Sequence, residues 1–393
     1  MKKKLIIGIT GSIAAYKSIQ LISDLLKLDY DIEVMMSEAA SRFVTPVCIQ
    51  SLTKKKVYID VFDDEPETIT HVDLVKDADL FVVVPASAHT IAKLAHGLAD
   101  NMLTNAFLAA TCPKLIAPAM NVHMYENPIT QKNISLLKDL GVYFIEPATG
   151  LLACGDIGKG KLADLDDIKA MIEYVLCHKT LVNKKVLISA GPTAEDIDPV
   201  RFITNHSSGK MGYSLAKAAF NLGADVTLVS GPTALKKPFG VNRIDVTSAN
   251  DMYEAMIKNS HDADLIIMSA AVADYSVKEI ANEKIKKNDD SLVLELKKNK
   301  DILFELGQNK KENQLICGFA METQDLIENA TKKLNKKNCD MIVANSLRKE
   351  GAGFKGDTNI VSIINKDGVK DLDMMSKEEL AYKIIELLLK EGK

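Results

Sequence analysis

The stretch KKLIIGITGSIAAYK, residues 3–17, and its counterpart KKVLISAGPT, residues 184–193, decide the fold of this 393-residue chain. Each is a run of branched apolar residues that ends in a glycine-containing loop, which is typical of a β-strand entering a turn. Similar apolar runs alternate with amphipathic stretches along both halves. This alternation indicates parallel βαβ units. We therefore predict an α/β protein with two doubly wound domains.

The position of the domain boundary follows from where the pattern restarts. In the first half we expect strands within residues 4–9, 31–37, 80–87, 114–120 and 142–148, and helices over residues 14–28 and 131–140. In the second half we expect strands within residues 184–193, 224–233, 264–275, 315–323 and 339–346, and a terminal helix over residues 377–390. A closing helix over residues 162–180 precedes the restart at Lys184. We therefore predict one domain over residues 1–180 and a second, Rossmann-like domain over residues 181–393.

Composition excludes several classes of protein. The formal net charge is −4, whereas a non-specific nucleic-acid binder is normally strongly basic. The six cysteines stand singly, without CxxC or Cys/His spacing, so neither a zinc ribbon nor a disulfide framework is expected. No apolar run is long enough to span a bilayer. We expect a reduced cytoplasmic protein that binds neither nucleic acid nor membrane.

The glycine loop of the first half is a candidate phosphate site. Gly11 and Ser12 lie between the first strand and the helix that follows, where backbone N–H groups and a hydroxyl bind anions well. Ser37, Ser87 and Thr90 follow later strands, at the edge of the sheet where ligands bind. The loop lacks GxGxxG, and a plain packing turn is the alternative interpretation.

Three further residues of the first half are candidates for catalysis. His71 stands alone in ITHVDL, where a histidine is more often structural than catalytic. Asn121 follows a predicted strand in PAMN and has an amide suited to a carboxylate, although asparagine also simply forms turns. Cys154 lies in the glycine-rich segment TGLLACGDIGKGKLAD, which we interpret as a mobile flap. Its thiol is a candidate proton donor, and inert packing is the alternative.

The motifs GSIAAYK, THVDL, PASAHT, ADNMLTNAFLAA, PAMNVHMYENP and ACGDIGKGKLAD occur in this order, and the first half thereby resembles the flavin-dependent cysteine decarboxylase family. The resemblance implies a flavodoxin-like fold, bound FMN and trimers. It also implies that His71 is catalytic, that Asn121 binds the substrate carboxylate, and that Cys154 is the acid on the flap. The FMN site would comprise Gly11, Ser12, Ser37, Ser87, Thr90 and Thr104. His89, Tyr125 and Lys161 depart from the usual asparagine, tryptophan and arginine.

In the second half, polar residues again follow the predicted strands. NHSSGKMG, from Asn205, superficially matches a phosphate-binding P-loop, but Thr204 replaces the first glycine and Met211 follows the lysine. A helix cap is the alternative interpretation. Asp274 follows a predicted strand, and Lys284, Lys286 and Lys287 form a basic run that could equally be a solvated face. Lys333 and Lys337 lie one helical turn apart. Converging lysines would suit a triphosphate.

DPVRFITNHSSGKMG, AAVADY and KIKK together give the second half a close resemblance to phosphopantothenate–cysteine ligase. The resemblance implies a reaction with CTP and Mg²⁺, in which Asn205 and Lys284 support formation of an acyl-cytidylate. It also implies dimers, which with the trimers of the first half would build a dodecamer. The residues implied to contact CTP are Ala270, Asp274, Lys284, Lys300, Asp301, Ile302, Leu303, Phe319, Lys333 and Lys337.

The two resemblances together predict a bifunctional enzyme of coenzyme A biosynthesis. The second half would join 4′-phosphopantothenate to L-cysteine, and the first would decarboxylate the product to 4′-phosphopantetheine. One alternative is a flavin-binding regulatory protein, and another is a different flavin enzyme, for which the ligase half has no role. A nicotinamide-dependent dehydrogenase is disfavoured because neither glycine loop contains GxGxxG.

Overall fold

The computed structural model describes residues 2–62, 70–152, 155–286, 292–322, 326–346 and 356–392. By its internal contacts the chain divides into two compact units, Met1–Cys177 and His178–Lys393. Within the described ranges, none of the helices combines the length and apolar character needed to cross a membrane.

The first unit contains eight strands and nine helices within its described residues. The strands are β1 Lys4–Ile9, β2 Asp31–Met36, β3 Val57–Tyr58, β4 Leu80–Ala86, β5 Lys114–Pro118, β6 Tyr143–Phe144, β7 Ala148–Leu151 and β8 Ile157–Lys161. The helices are α1 Ala15–Lys27, α2 Glu38–Ser41, α3 Pro46–Thr53, α4 Thr70–Lys76, α5 Ala88–Ala95, α6 Met102–Ala109, α7 Val122–Glu126, α8 Pro128–Asp139 and α9 Leu165–Leu176.

Strands β1 to β6 of the first unit form one parallel sheet in the order β3-β2-β1-β4-β5-β6. Strand β3 is a two-residue edge pairing; without it the order is that of flavodoxin-like proteins. Every residue of the central strand β4 is buried, as expected for a parallel strand covered by helices on both faces. Strands β7 and β8 form a separate antiparallel hairpin. The predicted flavodoxin-like fold is confirmed.

The second unit contains fourteen strands and five helices within its described residues. The strands are β9 Lys185–Ala190, β10 Ala194–Asp196, β11 Phe202–Thr204, β12 Asp225–Ser230, β13 Asn242–Asp245, β14 Leu265–Met268, β15 Tyr275–Val277, β16 Leu296–Lys298, β17 Leu315–Glu322, β18 Met341–Ser346, β19 Thr358–Asn359, β20 Val361–Asn365, β21 Gly368–Asp371 and β22 Met375–Ser376. The helices are α10 Lys210–Asn221, α11 Ala249–Ser260, α12 Ile302–Gln308, α13 Leu326–Lys336 and α14 Lys377–Leu388.

The large sheet of the second unit has the order β13-β12-β9-β14-β17-β18-β20-β21. Its first six strands are parallel and follow the Rossmann order, which confirms the predicted fold. Helices α10 and α14 contribute to the core on one face, and α11, α12 and α13 contribute to the core on the other. The antiparallel strands β20 and β21 were not predicted from the sequence.

Several predicted elements are shorter in the structure, among them the last strand of the first sheet and the closing helix. The strand expected within residues 142–148 is only Tyr143–Phe144, and Pro147, which has no N–H to donate, follows three residues after Phe144. The closing helix expected over residues 162–180 is Leu165–Leu176, and the Asp164 side chain caps its start by accepting from the Asp166 N–H.

Candidate functional site

The loops that follow β1, β4 and β5 meet around a cavity of about 500 Å³ in the first unit. They are the three loops that the sequence places at the carboxyl edge of the sheet. Residues of the β7–β8 hairpin line the cavity as well. The lining residues are Gly11, Ser12, Ile13, Ala14, Tyr16, Lys17, Phe43, Ser87, Ala88, Ala119, Met120, Asn121, Met124, Leu151, Leu152, Gly160, Lys161 and Leu162.

A buried threonine joins two of these loops. The Thr10 hydroxyl donates to the Pro85 carbonyl at 2.8 Å and accepts from the Ser87 N–H at 2.9 Å. Gly11, the next residue, lies against the first turn of α2, where an added Cβ would come within 2.6 Å of the Ala39 Cβ. Only glycine allows this close approach of loop and helix. The backbone around the cavity is therefore held in place before any ligand binds.

The six residues implied to bind FMN fall into two groups. Gly11, Ser12 and Ser87 line the cavity. Ser37, Thr90 and Thr104 are not among its lining residues. Ser37 caps α2 by accepting from the Ala40 N–H, and Thr104 is buried in the capping box of α6.

Ser87 caps α5 by accepting from the Thr90 N–H, and its hydroxyl lies 3.2 Å from the Thr90 hydroxyl. The Ser12 hydroxyl donates to the Ala119 carbonyl at 3.3 Å. The hydroxyls of Ser12 and Ser87, at the starts of α1 and α5, are thus already oriented by the protein.

The β7–β8 hairpin is the predicted flap, and two glycines hold it against the loop that contains Asn121. An added Cβ would lie 2.5 Å from the Val122 Cγ2 at Gly158 and 2.3 Å from the Met120 oxygen at Gly160. The Met120 N–H also donates to the Gly160 oxygen at 3.0 Å. The Asn121 amide donates to the Asp156 carboxylate on the hairpin at 2.9 Å. Cys154 lies outside the described residues.

His71 is not brought to this cavity. It is the second residue of α4, half-buried, and does not belong to the cavity lining. Of the three departures from the decarboxylase pattern, Lys161 lines the cavity and His89 is exposed on α5. The third, Tyr125, is buried, and its hydroxyl donates to the Glu146 carboxylate at 2.8 Å.

A cavity of about 460 Å³ lies at the carboxyl edge of the large sheet in the second unit. It contains four of the residues implied by the ligase resemblance, namely Asn205, Ala270, Asp274 and Phe319. The full lining is Asn205, Ser207, Ser208, Gly209, Lys210, Met211, Ser269, Ala270, Ala271, Val272, Asp274, Phe319, Ala320, Asn345, Asn359 and Lys377.

The NHSSGKMG segment forms one wall of this cavity and leads into α10. Asn205 is exposed, and its amide donates to the Ala271 carbonyl at 2.9 Å. Gly209 has a φ of 78°, which an L residue rarely adopts. Gly212, in the first turn of α10, lies so close to the sheet that an added Cβ would meet the Ala190 Cβ at 2.4 Å. The glycines thus set α10 and its backbone N–H groups directly on the strand end.

The other residues implied to contact CTP lie beyond the lining of this cavity. Lys333 donates to the Phe319 carbonyl at 2.7 Å, so it adjoins a lining residue. Lys337 pairs with Asp301, and burial lowers the pKa of its ammonium group. The Lys300 ammonium lies over the Tyr253 ring, 4.2 Å from its centroid. Ile302 and Leu303 are buried core residues.

Lys284 is exposed and is not a lining residue of the cavity. Its neighbour Ile285 is hydrogen-bonded to an ion pair whose carboxylate is buried: the Ile285 N–H donates to Asp198, and the Ile285 carbonyl accepts from Arg201. Hydrogen bonds from Arg201 hold the pKa of the Asp198 carboxyl well below its usual range. The basic run therefore begins at an anchored point. Lys287 lies outside the described residues.

Sequence reasoning did not identify several residues that line the second cavity. In the sequence, Lys210 belongs to a segment that matches a P-loop only in part, and the motifs quoted above do not include Asn345, Asn359 or Lys377. Asn345 is the last residue but one of β18, and polar residues near strand ends are a usable signal. Asn359 and Lys377 lie in elements that follow the parallel sheet, so no pattern in the sequence placed them here.

The first cavity fits a flavin nucleotide. Its lining combines serine hydroxyls at two helix starts and Lys17 with the apolar side chains of Met120 and Leu152. In the second unit, helix α10 and Lys210 suit a polyphosphate. Among the residues that the structure describes, no group of three His, Cys, Asp or Glu side chains could hold a metal ion.

Comparison with known proteins also divides the chain into two parts. The profile of the "Flavoprotein" family matches residues 1–176, and that of the "DNA/pantothenate metabolism flavoprotein C-terminal domain" matches residues 181–391. The chain is 48% identical over 390 residues to "Coenzyme A biosynthesis bifunctional protein CoaBC" of Bacillus subtilis, covering 98% of this chain and 96% of that protein.

Two further relatives differ in name and extent. A "Cysteine/Cysteine sulfinic acid decarboxylase" from an unknown prokaryotic organism is 45% identical, covering 88% of this chain and 99% of that protein. The crystal structure of the C-terminal domain of a CoaBC protein is 47% identical, with a TM-score of 0.46, and covers 54% of this chain and 98% of that one. With nearly half of its residues identical over almost the full length of the Bacillus protein, this chain belongs to the family of coenzyme A biosynthesis bifunctional proteins.

Proposed function

We propose that the second unit joins 4′-phosphopantothenate to L-cysteine at the expense of CTP, and that the first unit decarboxylates the product to 4′-phosphopantetheine. The observation that carries the proposal is the presence of two separate cavities, each at the carboxyl edge of its own parallel sheet. The product of one reaction is the substrate of the other. This relation gives a reason for joining the two units in one chain.

In the ligase reaction, the substrate carboxylate attacks the α-phosphorus of CTP, and pyrophosphate leaves. The amine of cysteine then displaces CMP from the acyl-cytidylate, which forms the amide. The Asn205 amide, already oriented by the Ala271 carbonyl, would hold the attacking carboxylate. The N–H groups at the start of α10 would bind the phosphates, and Lys333 beside Phe319 would add positive charge. Lys284, Asp274 and the segment Lys300–Leu303 complete the proposed nucleotide contacts.

In the decarboxylase reaction, bound FMN supplies the transient oxidation of the substrate thiol that makes loss of CO₂ possible. The chain itself binds the flavin and the substrate and provides the catalytic side chains. Ser12 and Ser87 would hold the flavin nucleotide by its phosphate and polar groups. Asn121 would bind the substrate carboxylate once its amide leaves Asp156. Cys154 would donate the proton that follows CO₂ loss, and His71 would complete the catalytic set.

We propose that the enzyme is a homo-oligomer, with trimers of the first unit and dimers of the second combined into a dodecamer. Support comes from the position of His71, which lies outside the cavity lined by Asn121 and so would have to reach a cavity of another copy. Light scattering on the purified protein tests this directly. A monomer with full decarboxylase activity would exclude it. We also propose a cytoplasmic location, where coenzyme A precursors and reduced thiols are available.

Product analysis by mass spectrometry tests the proposed function. The full-length protein loaded with FMN is given 4′-phosphopantothenate, cysteine, Mg²⁺ and either CTP or ATP. We expect 4′-phosphopantetheine, CMP and pyrophosphate with CTP, and much less product with ATP. Parallel samples contain cysteine or cysteine sulfinate alone, because one relative is named for decarboxylating them.

The possible outcomes distinguish the activity of the first unit from that of the second. Accumulation of 4′-phosphopantothenoylcysteine would support the ligase and contradict the decarboxylase. Loss of CO₂ from free cysteine, without any ligation, would favour the activity named for the relative. Absence of every product from folded, FMN-loaded protein would refute both assignments and favour a flavin-binding regulatory role.

A further inference from the structure

The Asn121 side chain lies between the loop that follows β5 and the flap hairpin, and both ends of its amide make hydrogen bonds. Its oxygen accepts from the His123 N–H at 2.8 Å, which caps the start of α7. Because a backbone N–H can only donate, this contact fixes which end of the amide is the oxygen. The amide nitrogen therefore faces the hairpin, where it donates to the Asp156 carboxylate at 2.9 Å.

The backbone of the hairpin places Asp156 at this amide. The Leu152 N–H donates to the Asp156 carbonyl at 2.8 Å, and Gly155, with a φ of 91° that an L residue rarely adopts, directly precedes it. On the other side, the Gly160 carbonyl of β8 accepts from the Met120 N–H at 3.0 Å. The contact with Asp156 is therefore supported by backbone hydrogen bonds on both sides, and not by the two side chains alone.

The group that accepts from the Asn121 amide is of the same chemical kind as the group that the proposed decarboxylation removes. The substrate carboxylate would bind the amide that Asp156 already binds, and two carboxylates at one amide repel each other. The product lacks this carboxylate, so it does not compete with Asp156. A hydrogen bond to a charged group is strong enough to change an affinity about 10-fold. The contact with Asp156 therefore lowers the affinity for the substrate and leaves the affinity for the product unchanged.

We propose that Asp156 is a specificity-determining residue of the first unit, whose carboxylate binds the Asn121 amide before the substrate arrives and again after CO₂ has left. This inference rests on the proposed decarboxylation. In that step the bond between the carboxylate and its carbon breaks, the electron pair stays on the substrate, and CO₂ leaves without charge. The repulsion that displaced Asp156 then disappears, and its return to Asn121 stabilises the state after CO₂ loss. The exchange also prevents the carboxylate from stabilising the bound substrate more than the transition state.

Two probes that differ only by the carboxylate test this inference. One is 4′-phosphopantothenoylserine, in which a hydroxyl replaces the thiol, and the other is its ethanolamine counterpart, which lacks the carboxylate. Calorimetry measures their affinities for the full-length protein loaded with FMN, for Asp156→Ala, for Asn121→Ala and for the double variant. Glu126→Ala is the matched control, because it removes an exposed carboxylate from the other end of α7.

We expect Asp156→Ala to bind the serine probe about 10-fold more tightly and the ethanolamine probe with unchanged affinity. The gain should disappear when Asn121 is also replaced, and Glu126→Ala should bind both probes like the wild type. In turnover of 4′-phosphopantothenoylcysteine, both KM and kcat should fall in Asp156→Ala, because the bound substrate is stabilised and the transition state is not. Asp156→Asn, which keeps the shape of the side chain without its charge, should show a smaller gain in the same direction.

Equal affinities of the wild type and both Asp156 variants for the serine probe would overturn the inference and leave the decarboxylase intact. A gain that persists without Asn121, or that Glu126→Ala reproduces, would also overturn it, because such a gain indicates a general effect of charge. Weaker binding of both probes in Asp156→Ala and Asp156→Asn would overturn it too, since Asp156 would then only maintain the hairpin. Failure of the wild type to bind either probe would contradict the proposed decarboxylation, and the inference with it.

Discussion

Replacement of Gly160 by alanine tests whether contact between the flap hairpin and the Asn121 loop is required for decarboxylation. An added Cβ at Gly160 would lie 2.3 Å from the Met120 carbonyl oxygen, which is backbone and cannot rotate away. The closest comfortable C···O contacts are about 3.3–3.6 Å. The hairpin and the loop must therefore separate by about 1 Å. Gly160 and Met120 both line the cavity of the first unit, so the separation changes the cavity itself.

The expected loss of stability in Gly160→Ala has two contributions. Separation weakens the hydrogen bond from the Met120 N–H to the Gly160 carbonyl, which contributes about 1 kcal/mol. Overpacking of a well-packed contact adds about 1–3 kcal/mol. Because a displacement of about 1 Å can reduce a rate about 100-fold, we expect a loss of that order in decarboxylation.

The assay follows FMN retention and the rate of decarboxylation of supplied 4′-phosphopantothenoylcysteine, with CTP-dependent ligation in the same sample as internal reference. Gly150→Ala is the matched control, since an added Cβ there would meet only the Lys161 side chain, at an ordinary 3.7 Å. We expect Gly160→Ala to lose decarboxylation while Gly150→Ala and the ligase activity stay unchanged. Normal FMN retention and a normal rate in Gly160→Ala would refute the reasoning.

Three other perturbations test further parts of the structure. Gly231→Ala places a Cβ 1.8 Å from the Pro192 carbonyl oxygen, so it should abolish ligation and leave decarboxylation of supplied substrate intact, measured as separate rates. Lys333→Met should weaken CTP binding about 10-fold by calorimetry, with exposed Lys332→Met as control; equal affinities would contradict the proposed contact. Burial raises the pKa of Glu146, but hydrogen bonds from Lys159, Tyr125 and Lys138 outweigh this effect and lower the pKa from 4.5 to about 2. The ionised Glu146 carboxylate therefore stabilises the fold fully above pH 4.5, and this contribution to the free energy of unfolding is lost as the pH falls toward 2. Urea midpoints of wild type and Glu146→Gln should accordingly converge on acidification, and a constant difference would exclude this carboxylate as the cause.

Several features of the first unit could be predicted because they depend on neighbours in sequence. The strand Lys4–Ile9 and the helix Ala15–Lys27 match the predicted ranges closely, since period and turn residues are local signals. The sequence also predicts that the loops after β1, β4 and β5 converge, because parallel strands present their carboxyl ends at one edge of the sheet. The sequence does not predict which hydroxyls line the cavity, because Thr90 and Thr104 become buried in helix caps.

In the second unit, the sequence alone determined the restart of the α/β pattern, the glycine loop and the presence of lysines near it, because these depend on residue type and short spacing. Only the tertiary structure decided which lysines face the cavity. Lys284 remains exposed outside its lining, whereas Lys377, more than 160 residues after Lys210, lies at its wall. Contacts between distant segments depend on the crossing of the chain over the sheet and on the packing of α14 beside α10. No local pattern encodes that arrangement, so only the folded structure brings Lys377 and Lys210 together.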